Sequence, residues 1–355
     1  MRLVITNFGP TYPLGIGGGA LSNVDLLKVL SRLGFAVLNL GFFENSNKTE
    51  YEANFNKAKK LGFVQGTLEK YTSFDGILNI NESWGNYLTT IRSLSRDSNN
   101  ILILRPYKFK LQDKIGNWSG RLILWNNDFD INRAKEVVDI LIKQHGKCVT
   151  ISKYLSDLME NKYGVKSKVL NSVIDWDNLR ISPKKKLSLE KKIPMLGLPN
   201  PNVFKFGELP YRIIDELSEY KFTIVTSWGW DHDHLTKLKK RKNVVVLRNL
   251  VDISHFYKAI DLLLVPTVLP ESYPRFIQEA MYLRIPILAS AIGNLPELIG
   301  ESGIVVQSQN AADWRIAVKQ ATDLSYAKLE EGRKKIIKFQ SVAKDSMEYF
   351  FKSLS

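Results

Sequence analysis

The sequence predicts an α/β protein of two doubly wound, Rossmann-like domains followed by a helical C-terminal tail. Short apolar runs alternate with longer amphipathic ones, the pattern of a parallel sheet covered by helices. The alternation comes in two series, separated by the polar, Lys-rich stretch Asp177–Lys192. A length of 355 residues exceeds one small core and suffices for two.

In the first series Leu3–Thr6 reads as a strand, followed by a glycine-rich loop and a helix from about Ala20 to Leu33, which Gly34 ends. Phe35–Leu40, Ile77–Ile80, Ile101–Leu104, Leu122–Trp125 and Val149–Ile151 read as further strands. Ile131–Gln144 and Ser152–Tyr163 are helix-length stretches between them. The second series comprises Ile193–Gly197, Thr223–Thr226, Val244–Leu247, Leu262–Val265, Ile287–Ala289 and Ile304–Val306 as strands. Tyr211–Tyr220, Ser254–Ala259 and Ser272–Leu283 read as its helices. Asn310–Leu354 reads as two or three charged amphipathic helices. The expected division is 1–172 for the first domain, 173–335 for the second, and 336–355 for a helix packing back on the first. Ligands of such sheets bind at the carboxyl ends of the strands.

Composition narrows the class. Hydrophobic residues make up 44% and charged residues 24%, the balance of a globular rather than a disordered chain. No apolar run reaches the roughly 18 residues needed to cross a bilayer. The N-terminus does not resemble a cleavable secretory signal, so a cytoplasmic protein is expected. The single cysteine, Cys148, excludes an internal disulfide and lies in an apolar run that suits a buried thiol. A net charge of +14 favours phosphate-bearing partners, although a solvated Lys-rich surface explains it equally well. Gly17-Gly18-Gly19 lacks the following Lys-Ser/Thr of a P-loop.

The richest segment is Pro270–Met281, which follows the strand Leu262–Val265. Ser272 suits an N-cap and Pro274 the first helical turn, placing Glu271 just before a helix N-terminus and Glu279 about two turns in. A helix N-terminus favours a diphosphate. Carboxylates beside it are suited to accept hydrogen bonds from ribose and sugar hydroxyls. The plainer reading is a glutamate complementing the helix dipole and a second, exposed one.

In this segment and around it the chain resembles the retaining, GT-B-type glycosyltransferases of family 4, also called group 1. The resemblance rests on Pro266-Thr267, then Glu271, seven residues and Glu279-Ala280-Met281. It continues through Ile285–Ala291, Gly293, Pro296-Glu297 and Ser302-Gly303. Upstream it includes Ser152-Lys153-Tyr154-Leu155, Val169–Asp175, Val244–Asn249 with Ala259–Asp261, and the Gly17–Gly19 loop. It is strong from about residue 145 to 307 and weaker before that.

The resemblance implies two Rossmann-like domains facing across a cleft, and a site for a nucleotide sugar. Glu279 would bind the ribose and Glu271 a donor-sugar hydroxyl. Backbone N–H groups around Ser272, Tyr273 and Arg275 would face the diphosphate, and Gly18, Gly19 and Asn249 would line the donor. Lys205 would stand in the family's diphosphate-binding lysine position. The family's arginine is replaced by Leu198, and Arg275 is a candidate for compensating charge. The acceptor-domain histidine common in the family has no counterpart, since no histidine precedes His145. Glu82 or Tyr107 is expected to line that site instead. Asp128-Phe129-Asp130 and Asp231–His234 mimic metal sites, but no partner ligands accompany them. Trp228–Trp230 would lie near the nucleotide or pack in a loop.

The implied activity is transfer of a sugar from a UDP- or GDP-sugar to a hydroxyl, with retention and without a metal or other cofactor. The expected acceptor is a glycan or lipid-linked oligosaccharide in cell-surface polysaccharide assembly, with peripheral contact to an anionic membrane. Competing readings are a sugar-nucleotide epimerase or hydrolase, a nucleic-acid- or protein-modifying glycosyltransferase, and a binding protein that has lost turnover.

Overall fold

The structure is a computed structural model. It describes residues 2–6, 14, 18–42, 48–73, 77–105, 118–127, 131–185, 193–227, 232–248, 250–271 and 273–354. The chain divides into two compact units, one of Met1–Val173 with Val342–Ser355 and the other of Ile174–Ser341.

The first unit holds strands β1 (Leu3–Thr6), β2 (Ala36–Phe42), β3 (Val64–Gly66), β4 (Lys70–Ser73), β5 (Ile77–Glu82), β6 (Ile101–Leu104), β7 (Arg121–Asn126), β8 (Lys147–Thr150) and β9 (Ser167–Val169). Their order in the sheet is β3-β4-β5-β2-β1-β6-β7-β8-β9. From β5 to β9 all pairings are parallel. The β3 and β4 strands are antiparallel additions that the apolar pattern does not reveal. They are short and largely polar, with exposed residues alternating along β4, so no apolar run marks them. The central strands are buried on both faces. Ile101 and Ile103 join one hydrophobic cluster while Leu102 and Leu104 join the other, as the period of two requires. Helices α1 (Gly18–Arg32), α2 (Lys48–Lys60), α3 (Trp84–Leu94), α4 (Lys135–Lys143) and α5 (Lys153–Tyr163) accompany this sheet. Ser152 caps α5 through its hydroxyl, and Gly164 ends it in the left-handed region at φ 66°. Thr6, Asn39 and Asn79 are fully buried and hydrogen-bonded side chain to side chain across β1, β2 and β5, and Asn79 also donates to Ser73 on β4. Their polar groups are thereby satisfied inside the sheet.

The second unit holds β10 (Met195–Pro199), β11 (Lys221–Thr226), β12 (Val244–Arg248), β13 (Leu262–Val265), β14 (Ile287–Ser290) and β15 (Gly303–Val306). All are parallel, in the order β12-β11-β10-β13-β14-β15. Counted within the unit this is the order 3-2-1-4-5-6 of a dinucleotide-binding sheet. Its helices are the single turn α6 (Val203–Phe206), α7 (Leu209–Glu216), α8 (His232–Lys239), α9 (Ser254–Ala259), α10 (Arg275–Tyr282), α11 (Leu295–Ile299) and α12 (Ala311–Gln320). Leu262 and Leu264 face one cluster, Leu263 and Val265 the other. The last helix, α13 (Tyr326–Lys352), contributes Ile336 to the core of the second unit and Ala343, Met347, Phe350 and Phe351 to that of the first.

Several boundaries shift from the sequence expectation. The first helix starts at Gly18, so both glycines belong to its first turn rather than to a preceding loop. The stretch Tyr211–Tyr220 is helical only from Leu209 to Glu216. No described helix is long and apolar enough to cross a membrane.

Candidate functional site

The order of the second sheet reverses between β10 and β13. There the crossovers leave to opposite sides and the loops beyond the strands diverge, opening a crevice. Lys205 follows β10 and Glu271 follows β13, so the topology alone brings these two loops together.

The β10 loop is built by asparagines. Asn200 occupies the left-handed region at φ 46°, which its short polar side chain tolerates, and its Oδ1 accepts the Ser227 amide at 2.8 Å. Asn202 is fully buried and caps α6 by accepting the Lys205 N–H at 3.0 Å. The Lys205 carbonyl in turn accepts the Val268 amide at 3.1 Å and lies 3.2 Å from the buried Thr267 hydroxyl. The two loops are therefore joined through backbone, and the lysine side chain starts from a held position.

From there Lys205 Nζ forms an ion pair with Glu271 Oε1. The ammonium also lies 5.1 Å from the Phe276 ring centroid and 5.7 Å from that of Phe206. Burial pushes the Lys205 ammonium down to about 8, while the carboxylate beside it favours the charged form. Glu271 is itself buried and is held from its backbone side, where its carbonyl accepts the Asn294 amide at 2.9 Å. Gly293, at φ 63°, packs directly against that backbone.

The helix after Glu271 begins later than its composition suggests. Pro274, with φ −63° and ψ 124°, is the N-cap, and α10 starts at Arg275. A helix capped by Ser272 would need Tyr273 helical, and the residue before a proline is driven out of that region. Ser272 itself lies outside the described residues, as does Asn249. The helix N–H groups nearest the crevice are thus those of Arg275 and Phe276, and Tyr273 precedes the helix. Tyr273 stacks on Phe339 at 5.0 Å, and burial raises its phenol pKa.

The later start also changes Glu279, which stands one turn into the helix instead of two. It is 3% exposed, so the reading of an exposed second glutamate does not hold. Arg275 Nε donates to its Oε1 at 2.6 Å, the i,i+4 pairing that one helical turn allows. The Tyr257 hydroxyl donates to Oε2 at 2.6 Å. Burial and the neighbouring Glu279 charge raise the Tyr257 phenol well above its ordinary range, so it stays a donor. Arg275 is accordingly a partner of Glu279 inside the helix, whatever further contact it makes. Leu198, where the resemblance leads one to look for an arginine, is a fully buried core residue of β10.

The structure thus brings Lys205, Glu271, Tyr273, Arg275 and Glu279 into one unit. Gly18 and Gly19 belong to the first unit, where a Cβ on Gly19 would meet the Arg105 guanidinium at 4.0 Å. Glu82, at the end of β5, accepts the Thr90 hydroxyl at 3.0 Å. Tyr107, Asp128–Asp130, Trp228–Trp230 and Asp231 lie outside the described residues. Among the described residues no three potential ligands come together to hold a metal. Sequence reasoning missed Tyr257, which looks like an ordinary core residue of a short helix, and the packing role of Gly293. It also missed Phe276 beside the lysine.

Residues 207–323 match the family model for glycosyl transferases group 1. A stretch of 69 residues is 36% identical to the D-inositol 3-phosphate glycosyltransferase of Corynebacterium aurimucosum, spanning 19% of this chain and 16% of that protein. Among solved structures, a glycosyltransferase from Rickettsia africae aligns over 99% of this chain and 98% of its own, with TM-score 0.68 and 15% identity. Sucrose-phosphate synthase from Thermosynechococcus elongatus aligns over 100% and 99%, with TM-score 0.73 and 12% identity. Anabaena HepE in complex with UDP and glucose aligns over 99% and 100%, with TM-score 0.71 and 15% identity. At these identities the likeness is one of fold, and the fold is GT-B.

Proposed function

We propose that the protein is a retaining, metal-independent glycosyltransferase of family 4, moving a sugar from a UDP- or GDP-sugar to a hydroxyl of a glycan or lipid-linked acceptor. The observation that carries this reading is the Lys205–Glu271 pair, its side chains 19% and 9% exposed, at the switch point of a dinucleotide-binding sheet, one loop before a helix N-terminus. A cation and helix N–H groups in a water-poor crevice suit a leaving diphosphate, whose charge grows as the glycosidic bond breaks. In this reading Glu271 accepts a hydrogen bond from a hydroxyl of the sugar, and Glu279 from the ribose. The departing phosphate then serves as the base toward the acceptor hydroxyl, so the protein's task is orientation and charge stabilisation. Its similarity to group 1 glycosyltransferases over 207–323 supports the same donor class.

A cytoplasmic protein in cell-surface polysaccharide assembly, touching an anionic membrane peripherally, accords with the +14 charge. The test is incubation with a panel of UDP- and GDP-sugars and lipid-linked or oligosaccharide acceptors, reading product mass and anomeric configuration. Formation of an α-linked product from an α-linked donor supports the reading, and an inverted product refutes the retaining step.

One observation favours a second reading, a nucleotide-sugar-binding protein without turnover. Leu198 fills the core where an arginine was expected, leaving Lys205 with more of the diphosphate charge. Nucleotide binding with no product across the whole panel would favour it.

A further inference from the structure

Glu279 differs from an ordinary binding carboxylate in how completely its two oxygens are held. Oε1 takes the Arg275 Nε–H and Oε2 the Tyr257 O–H, each at 2.6 Å. Arg275, Glu279 and Tyr257 are 7%, 3% and 1% exposed. The first two share a helix turn, but Tyr257 comes from α9, on the other side of β13 in the chain. Its ring meets Phe256 edge-on at 5.3 Å, and its hydroxyl also lies 3.4 Å from the Phe276 carbonyl. The phenol is thus wedged between neighbouring elements with its one proton directed at the carboxylate.

A carboxylate has about four acceptor positions, and donors among the described residues take two of them. The remaining ones point wherever the two held bonds leave them. The Arg275 Nε–H holds Oε1, and with that oxygen alone held the carboxylate could still turn about its last torsion, which is broad for a glutamate. The Tyr257 bond to the second oxygen removes that freedom.

We propose that Tyr257 is a positioning residue for nucleotide recognition: by fixing the second oxygen of Glu279, it directs the open acceptor positions of that carboxylate at the ribose diol and so sets the preference for ribose over 2′-deoxyribose. The inference rests on the ribose assignment of Glu279 under the proposed function.

The experiment is calorimetric titration of the full chain, wild type and Tyr257→Phe, with UDP, GDP, 2′-deoxy-UDP and 2′-deoxy-GDP. The wild type is expected to bind one ribonucleotide at least about tenfold tighter than its deoxy form. In Tyr257→Phe the ratio is expected to fall to about threefold or less, through weaker ribonucleotide binding and unchanged binding of the deoxy form. A variant that keeps the full preference, or weakens both forms equally, overturns the inference alone. A wild type that binds none of the four, or binds both sugars equally, overturns the ribose reading and this inference with it. Should the Phe variant not fold, 3-fluorotyrosine at position 257 keeps the ring and alters only the donor. An unchanged ratio there overturns the inference, and a shift of about twofold or more supports it.

Discussion

Gly293 and Glu271 touch backbone to backbone. A Cβ on Gly293 would stand 2.6 Å from the Glu271 carbonyl oxygen and 2.7 Å from its nitrogen. The glycine is in the left-handed region at φ 63°, and the next amide, of Asn294, donates to that same carbonyl at 2.9 Å. The turn after β14 therefore sets the height of the carboxylate that follows β13. Without a side chain at 293 the two loops can nest, and Glu271 reaches Lys205 from a fixed base.

Gly293→Ala is expected to lower stability by about 2 kcal/mol, from the left-handed backbone and the forced separation. The larger effect is on turnover. A displacement of about 1 Å at Glu271 should lower kcat/KM by roughly a hundredfold. If Glu271 meets only the sugar, binding of the free nucleoside diphosphate should change by less than about threefold. Parallel denaturation, calorimetry and initial-rate measurements check this, and equal losses in binding and turnover would count against it.

Lys205 should give the proposed activity a pH dependence. Burial brings its pKa down to about 8, so the free protein carries the ammonium below that pH and loses it above. kcat/KM, which reports the free enzyme, should fall as pH rises through about 8. A bound diphosphate favours the charged form, so the corresponding limb of kcat should lie higher. Lys205→Arg, whose guanidinium does not deprotonate, should abolish the limb even at a reduced rate. A flat wild-type profile across this range would remove Lys205 from the charged machinery.

The Arg275–Glu279 pair is buried, with side chains 6% and 4% exposed, so its removal is asymmetric. Glu279→Leu strands the guanidinium and should cost about 3–5 kcal/mol. The double change Arg275→Leu with Glu279→Leu should cost less than that single change, because no unpaired charge remains. Urea denaturation of both variants checks the order. Losses that simply add would show the two side chains to be energetically independent.

A second set of buried contacts ties the start of this helix to the last helix. Gln278 donates to the Tyr273 carbonyl at 3.2 Å and accepts from Gln340 at 2.7 Å, and Gln340 accepts the Ile174 amide at 2.8 Å. Gln278 and Gln340 are 1% and 4% exposed. Gln340→Leu leaves both an amide N–H and a side-chain carbonyl without their partner and should cost about 1–3 kcal/mol. A thermal shift within error of the wild type would contradict this chain of bonds.

Much of the fold was legible in the sequence because parallel strands buried on both faces must be apolar throughout. Runs such as Leu262–Val265 and Ile101–Leu104 state their place directly. The strands β3 and β4, short and half or more exposed, carry no such signal. Glu271 and Glu279 stand out in the sequence by their spacing and surroundings, but their burial and their partners do not. The helix starts later than Ser272, a good N-cap residue, suggests, because Pro274 keeps Tyr273 out of the helical region.

What the sequence determined by itself, then, is local and periodic: which segments are strands, which loop follows which strand, and where in Glu271–Glu279 the two carboxylates fall. Tertiary structure alone decided the partners. Lys205 and Glu271 come from loops after different strands, Tyr257 meets Glu279 from a separate helix, and Gly293 supports Glu271 from a third loop. Such contacts depend on the order of strands in the sheet and on how closely two backbones can approach. Both are properties of packing between distant segments, and no spacing along the chain records them.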